Sequence, residues 1–392
     1  MLKADKNKIK EILERGVGEI IDKESLVKKL ESGKELRVKF GVDPTSPNIH
    51  LGRTVPLLKL RDFQELGHKI VFIIGDFTGI IGDTSDKDSE RPMLSEEKVE
   101  ENMKNYVKQA GKIIDIEKCE VLYNSHWLGQ LGFKEIGKQA DAFSVNEFIS
   151  RDNIRKRLDE GRRVSLREVL YPLMQGYDSV HVKADVEVGG TDQRFNILAG
   201  RELQRQYGQE PQDIIMNPLI EGLDGRKMSS SWGNTVNLLD TPNDMYGKIM
   251  SLGDELIIKY FIFATRVSLE EVEGYRKEIE NGANPRDVKM KLASEIVKFY
   301  HSDEDAKKAE DYFIKTFSKK EIPDEIPEFK PSAYDIISVL TESGLATSKA
   351  EARRNMEQNG IKINGQVITD PKTEVKNGDI IQKGKRYFIK VM

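Results

Sequence analysis

One cysteine in 392 residues, Cys119, leaves the chain no internal disulfide and no cysteine zinc cluster. In KCEVLY it reads as a small buried hydrophobe rather than a nucleophile. No run of about 18 apolar residues occurs, so no bilayer-spanning helix is expected. The opening MLKADKNKIKEILERG lacks a signal-peptide core and reads as an amphipathic helix, which points to the cytoplasm. An overall basic charge is also missing. The net charge is −4, so nothing draws the whole chain to nucleic acid. The charge is uneven, however: Ser332–Met392 carries +3, leaving −7 for the rest, a weak sign of a nucleic-acid contact at one end. Internal repeats are absent. What is present is 38% hydrophobic and 33% charged residues, a globular balance with material for two or three domains.

The run Leu36–Val42 is strand-like and ends at Asp43-Pro44. Helical spacing follows over His50–Leu66, closed by Gly67, and Lys69–Ile74 (KIVFII) reads as a buried strand. Strand, helix and strand make a βαβ unit, hence a parallel sheet with a right-handed crossover. Further strands are expected at Glu120–Tyr123, Val180–Val188 and Ile214–Leu219, with helical stretches such as Glu147–Leu158 between them. The pattern predicts a doubly wound α/β domain over residues 1–240 with inserted helices. Residues 241–318 are charged, apolar-periodic and poor in strand signals, which predicts an all-α domain. Lys319–Pro331 (KKEIPDEIPEFKP) reads as an extended linker. Residues 332–392 regain strand signals around two Asn-Gly turns, IKINGQVI and VKNGDIIQ, and form a small α+β module.

Five segments carry candidate chemistry. In DPTSPNIHLGR a strand ends, a loop turns and a helix starts at His50, and such a helix start attracts phosphate. A histidine there alone is usually structural; beside a βαβ unit it marks the ligand-binding edge of the sheet. GDFTGIIGDTSDKDSER offers Asp76, Asp83, Lys87 and Arg91 in a glycine-rich loop, against the plainer reading of a solvated surface loop. In YPLMQGYDS, Tyr171, Gln175 and Asp178 share one helical face that could hold a polar ligand head. VGGTDQRFN fits a ligand loop at a strand end, and GRKMSSSWGN a mobile phosphate clamp. GFKEIGKQ copies the Walker spacing but ends in Gln139, without the metal-binding hydroxyl, and reads as chance.

DPTSPNIHLGR and KMSSS, in this order, resemble the paired HIGH and KMSKS signatures of class I aminoacyl-tRNA synthetases. YPLMQGYDS and VGGTDQRFN are similar to segments of tyrosyl-tRNA synthetases, and LATSKAEARRNMEQNGIKINGQVI resembles the RNA-binding domain first recognised in ribosomal protein S-four. The resemblance implies a Rossmann-type catalytic domain and an anticodon-side helical domain. It also implies a connective insertion at about 110–185, with a homodimer interface around Gly132–Glu160. It implies two reactions. Tyrosine attacks the α-phosphate of ATP, which enters with Mg²⁺, giving tyrosyl-adenylate and pyrophosphate; tRNA(Tyr) then accepts the acyl group. No tightly bound cofactor and no protein metal site are implied.

Residue by residue, the resemblance assigns His50, Arg53, Lys227 and Ser230 to catalysis. ATP would be met by these four and by Gly41, Asp43, Thr45, Gly52, Gly190, Asp192, Met228, Ser229 and Ser231. Tyrosine would be met by Lys39, Asp83, Tyr171, Gln175, Asp178 and Gln193, with Asp178 taking the phenol. The tRNA would be met by Lys349, Arg353, Arg354 and Lys362. Two departures stand out. Arg53 replaces the second signature histidine, and Ser230 replaces the second clamp lysine, whose charge Lys227, Arg226 or Arg53 would have to supply. Lys39 stands where many relatives place a phenol-binding tyrosine. The rival readings are a tryptophanyl-tRNA synthetase, a nucleotidyltransferase with a similar histidine signature, and an inactive RNA-binding paralogue.

Overall fold

The computed structural model describes residues 5–83, 94–318, 326–384 and 387–392. The chain divides into two compact units, the first of residues up to Asp240 with Leu252–Leu292, the second of Thr241–Ser251 with Ala293–Met392. The helical stretch expected as one domain is therefore shared between the two.

The first unit is built on a six-stranded sheet of β1 (Glu19–Ile21), β2 (Arg37–Val42), β3 (Lys69–Ile74), β4 (Glu120–Tyr123), β5 (Val186–Gly190) and β6 (Asp213–Asn217). Its order is β1-β6-β5-β2-β3-β4, parallel throughout except for β1, which pairs antiparallel with β6. Covered on both faces, β3 is apolar almost end to end, and Ile70 through Ile74 have no exposed surface. The crossover from β2 to β3 is the helix Leu51–Glu65; the chain leaves it through Gly67 at φ 91°, open only to glycine at low cost. The helices Leu166–Val182 and Arg194–Gln206 lie against each other at Gly176, where a Cβ would stand 2.9 Å from Leu203 and 3.1 Å from the Ala199 backbone.

Some boundaries move. Val180–Val182, expected in a strand, are the last turn of the helix Leu166–Val182; left-handed Lys183 (φ 50°) ends it, and β5 starts only at Val186. Ile214–Leu219 shortens to β6, and Glu147–Leu158 falls on two short helices, Val145–Ile149 and Asp152–Asp159. Asp76–Ile81 is helical where a loop was expected, and Lys87 and Arg91 lie outside the described residues. The Walker-like segment is a helix, Phe133–Ala140, with Phe133 almost fully exposed. Burial pushes the Cys119 thiol up to about 11, so it is no thiolate at neutral pH.

In the second unit the helices Pro242–Met250 and Asp303–Phe313 pack together. A second sheet has the order β7-β11-β10-β8-β9, made of β7 (Glu328–Phe329), β8 (Ile361–Ile363), β9 (Gln366–Val367), β10 (Ile380–Lys383) and β11 (Tyr387–Val391). It shares a core with the helices Ile336–Glu342 and Lys349–Glu357, through Ile336, Leu340, Met356, Ile361 and Ile381. Asn364-Gly365, both at positive φ, close the β8–β9 hairpin. The expected linker is corrected here: Glu328–Phe329 pairs parallel with β11, so the module begins before Ser332. Lys319–Glu325 lie outside the described residues. Among the described residues no helix is long and apolar enough to cross a membrane.

Candidate active site

At the carboxyl ends of β2, β3 and β5 the first unit opens into a cavity of about 750 Å³. Its position follows from the topology: from β2 the chain moves outward to β3 and β4, then returns to β5 on the other side of β2, and the strand ends leave a crevice where the order reverses. Nearly all residues expected to bind ATP or tyrosine line it; Lys39 does not.

One end gathers cations and hydrogen-bond donors. His50 precedes the helix Leu51–Glu65 and is 7% exposed, with Nδ1 lacking any hydrogen-bond partner in the protein. Burial, then the charges of Arg53 and Lys227, push its pKa down to about 3, so the ring is neutral. Arg53, one helical turn along, places Nη2 3.5 Å from the Thr45 hydroxyl, while its Nη1 is buried without a partner. The clamp segment sits on this helix: the Gly52 N–H donates to Met228 Sδ at 3.2 Å, and a Cβ at position 52 would press within 3.1 Å of the His50 ring. Lys227 pairs with Asp192 at 3.0 Å. Ser229, Ser230 and Ser231 line the same end, as do Gly41 and Gly190. Arg226 does not line the cavity; it is held by Asp224 and lies 4.7 Å over the Trp232 ring. Asn234 shapes this segment, accepting from the Ser229 N–H at 2.8 Å and donating to Asp224 and to the Lys227 carbonyl.

The other end is closed and polar. The Tyr171 hydroxyl donates to Asp43 at 2.9 Å, and the second Asp43 oxygen accepts from Thr78 at 2.7 Å. Gln193 donates to Asp83 at 2.7 Å. Asp178 lies deepest, 3% exposed, accepting from Trp127 Nε1 at 2.8 Å and Asn124 Nδ2 at 3.3 Å. Desolvation raises its pKa to about 7 against the lowering effects of the Lys39 charge and of these two donors. The Trp127 ring stacks on His181 at 4.2 Å.

Lys39 corrects the sequence reading. Its ammonium has no exposed surface and is held by the Gln175 carbonyl, Ser179 and Glu187; Gln175 and Glu187 line the cavity while Lys39 itself does not. Burial of a cation demands such a carboxylate partner, and Glu187 on β5 supplies it. Asn124, Trp127, Glu187 and Thr78 escaped the sequence reading. The first two follow β4, and a strand end carrying NSHW was the signal available.

Residues 31–318 match the family described as tRNA synthetases class I (W and Y). A "Tyrosine--tRNA ligase" of Moorella thermoacetica is 48% identical over 97% of this chain and 94% of its own length. The chain belongs to the class I tyrosine–tRNA ligase family. A second such ligase, of Thermotoga maritima, is also 48% identical, over 97% of this chain and 96% of its own. Residues 336–381 match the S4 domain. Among solved structures, a tyrosyl-tRNA synthetase of Archaeoglobus fulgidus complexed with L-tyrosine superposes with a TM-score of 0.62. It is 24% identical, covering 78% of this chain and 99% of its own. A truncated mitochondrial tyrosyl-tRNA synthetase of Coccidioides posadasii gives 0.64 at 23% identity, covering 78% and 92%. Both share the fold.

Within the S4 region Lys349, Arg353 and Arg354 are exposed on the helix Lys349–Glu357, and Lys362 is half-buried on β8. Glu351, on the same helix, is taken up by Lys383 at 2.9 Å and by Thr347.

Proposed function

We propose that the cavity activates tyrosine with ATP and that the enzyme passes the tyrosyl group to tRNA(Tyr). The observation that carries this is a buried carboxylate, Asp178, at the closed end of a cavity whose open end gathers His50, Arg53 and Lys227. A phenol donates its O–H to Asp178, which two neutral donors already hold in place. Phenylalanine leaves that carboxylate desolvated and short of a partner, a loss of about 1–3 kcal/mol or more. Tyr171, Gln175 and Asp83 receive the amino group, and Asp43 and Gln193 orient it through their bonds to Tyr171 and Asp83. The substrate carboxylate then points towards the phosphate end.

There the protein does no covalent chemistry. It aligns the carboxylate with the α-phosphorus and stabilises charge on the leaving pyrophosphate. Neutral His50 donates an N–H rather than exchanging a proton, Arg53 and Lys227 supply positive charge, and the serines and Thr45 supply hydroxyls. With Ser230 in the clamp, Arg53 carries the larger share of that charge, since Arg226 is turned onto Asp224 and Trp232. This lining of cations and donors suits phosphate oxygens rather than a bare metal ion, so Mg²⁺ enters on the phosphates of ATP.

The exposed basic face of Lys349, Arg353 and Arg354, with Lys362 beside it, meets the tRNA backbone. Phe133, Val145, Leu158 and Leu166 expose apolar surface on the inserted helices, which supports a homodimer through that region. The enzyme works in the cytoplasm. Pyrophosphate exchange into ATP, measured with each amino acid in turn, tests the reading: exchange should require tyrosine. Exchange driven by tryptophan, or by none, would overturn it.

A further inference from the structure

At the closed end of the cavity, where Glu187 is part of the lining, Lys39, Ser179, Glu187 and Gln212 form a cluster with at most 1% exposure at each residue. Lys39 Nζ donates to the Gln175 carbonyl at 2.9 Å and to Ser179 Oγ at 2.7 Å, and pairs with Glu187 at 2.9 Å. Glu187 also accepts from Ser179 at 3.1 Å, from Gln175 Nε2 at 3.4 Å and from Gln212. A buried ion pair of this kind seldom adds stability over apolar side chains of the same size, because desolvating both charges offsets their attraction. Its placement suggests another use. The two helix groups that Lys39 grips, at 175 and 179, straddle Asp178, and the turn they bound carries both Gln175 and Asp178.

We propose that Lys39 is a positioning residue for substrate selection, fixing the turn of helix that presents Gln175 and Asp178 while Glu187 neutralises it. This rests on the reading of Asp178 as the acceptor of the phenol. Lys39 thus replaces a direct phenol contact with a grip from behind. Two bonds with fixed directions, to the Gln175 carbonyl and to Ser179, hold the turn against the strand, and the side chain of Glu187 extends the same grip to Gln175. The cation also favours the ionised form of the carboxylate beside it.

Removing Lys39 alone strands the Glu187 charge, so the test is the neutral pair Lys39→Met with Glu187→Gln, whose volumes match the originals. The double variant should fold. In pyrophosphate exchange its KM for ATP should stay within about twofold of the unaltered enzyme. Its KM for tyrosine should rise about tenfold, and the preference for tyrosine over phenylalanine should fall by a similar factor. A shift in tyrosine KM alone is what general loosening would not produce. An unchanged KM and preference, or equal rises for ATP and tyrosine, would overturn the proposal. If the double variant does not fold, Ser179→Ala decides. It keeps both charges and removes one bond of the grip, and should raise the tyrosine KM alone by a smaller factor; no change there refutes the proposal. Unaltered enzyme without tyrosine-dependent exchange would instead refute the underlying reading.

Discussion

Asp178→Asn should make the enzyme more stable and less selective, and the stability gain should grow with pH. Asp178 is 3% exposed and its pKa is raised to about 7, chiefly by desolvation. A carboxyl group whose pKa is higher folded than unfolded stabilises the fold while protonated. That contribution is complete below the unfolded value of 3.8 and is lost as pH rises through about 7. That rise from 3.8 to about 7 corresponds to about 4 kcal/mol by the time the group is ionised in both states. Asparagine avoids this charge but satisfies the Trp127 and Asn124 donors less well. One poorly met hydrogen bond returns about 1–2 kcal/mol, leaving a net gain of about 2 kcal/mol near pH 8. Near pH 5 the wild-type carboxyl is neutral when folded, and the gain should vanish or reverse. Urea unfolding read by tryptophan fluorescence follows this directly, because both tryptophans, Trp127 and Trp232, lie in the first unit. In the same variant, exchange should lose its preference for tyrosine. A stability difference that is equal at both pH values would refute the electrostatic account of Asp178.

Ser230→Lys should raise the activation rate or tighten ATP by about 1 kcal/mol or less, as for one exposed charge contact. Lys227→Ala, which removes the cation now paired with Asp192, should cost much more; negligible effects of both would show that this segment does not clamp phosphate. His50 has a folded pKa pushed down to about 3, so the rate of tyrosine activation should show no limb from His50 between about pH 5 and 8. The same depressed value means that this histidine's contribution to stability is present above about 6.5 and is lost as pH falls, so an activity limb near 6.5 abolished by His50→Gln would contradict the assignment. Deletion from Ile326 onward, removing β7 with its sheet, should leave adenylate formation nearly intact, because every cavity residue lies in the first unit, while aminoacylation falls through weaker tRNA binding. Equal loss in both assays would refute the division of labour.

What could be read in advance followed local rules. KIVFII is buried on both faces and can be little else, and Tyr171, Gln175 and Asp178 meet in the cavity because helical spacing alone puts them on one face. The Asn-Gly turn at 364–365 fixed its hairpin for the same reason. What escaped depends on partners distant in the chain. A lysine in a strand reads as a ligand or a surface residue until β5 is known to bring Glu187 beside it. Trp127 follows a four-residue strand and gains its role only from the helix that carries Asp178. Two residues after a proline carry too little pattern to announce β7, which exists because β11 offers it an edge.

The seam between β2 and β5 has a consequence for how the first unit assembles. It joins residues roughly 150 positions apart, and closing a loop of that length costs about 4 kcal/mol before the contact returns anything. The strands β2, β3 and β4 follow one another in the chain and can associate early, which leaves β2 as the open edge of a half-sheet. That edge carries Lys39. An inward-pointing charge on an unpaired strand repels apolar strands that would otherwise add to it. Only β5 brings the carboxylate that makes burial of this lysine tolerable. The nascent half-sheet is therefore guarded against the wrong strand, including the same strand of another chain, by the ammonium that later pairs with Glu187.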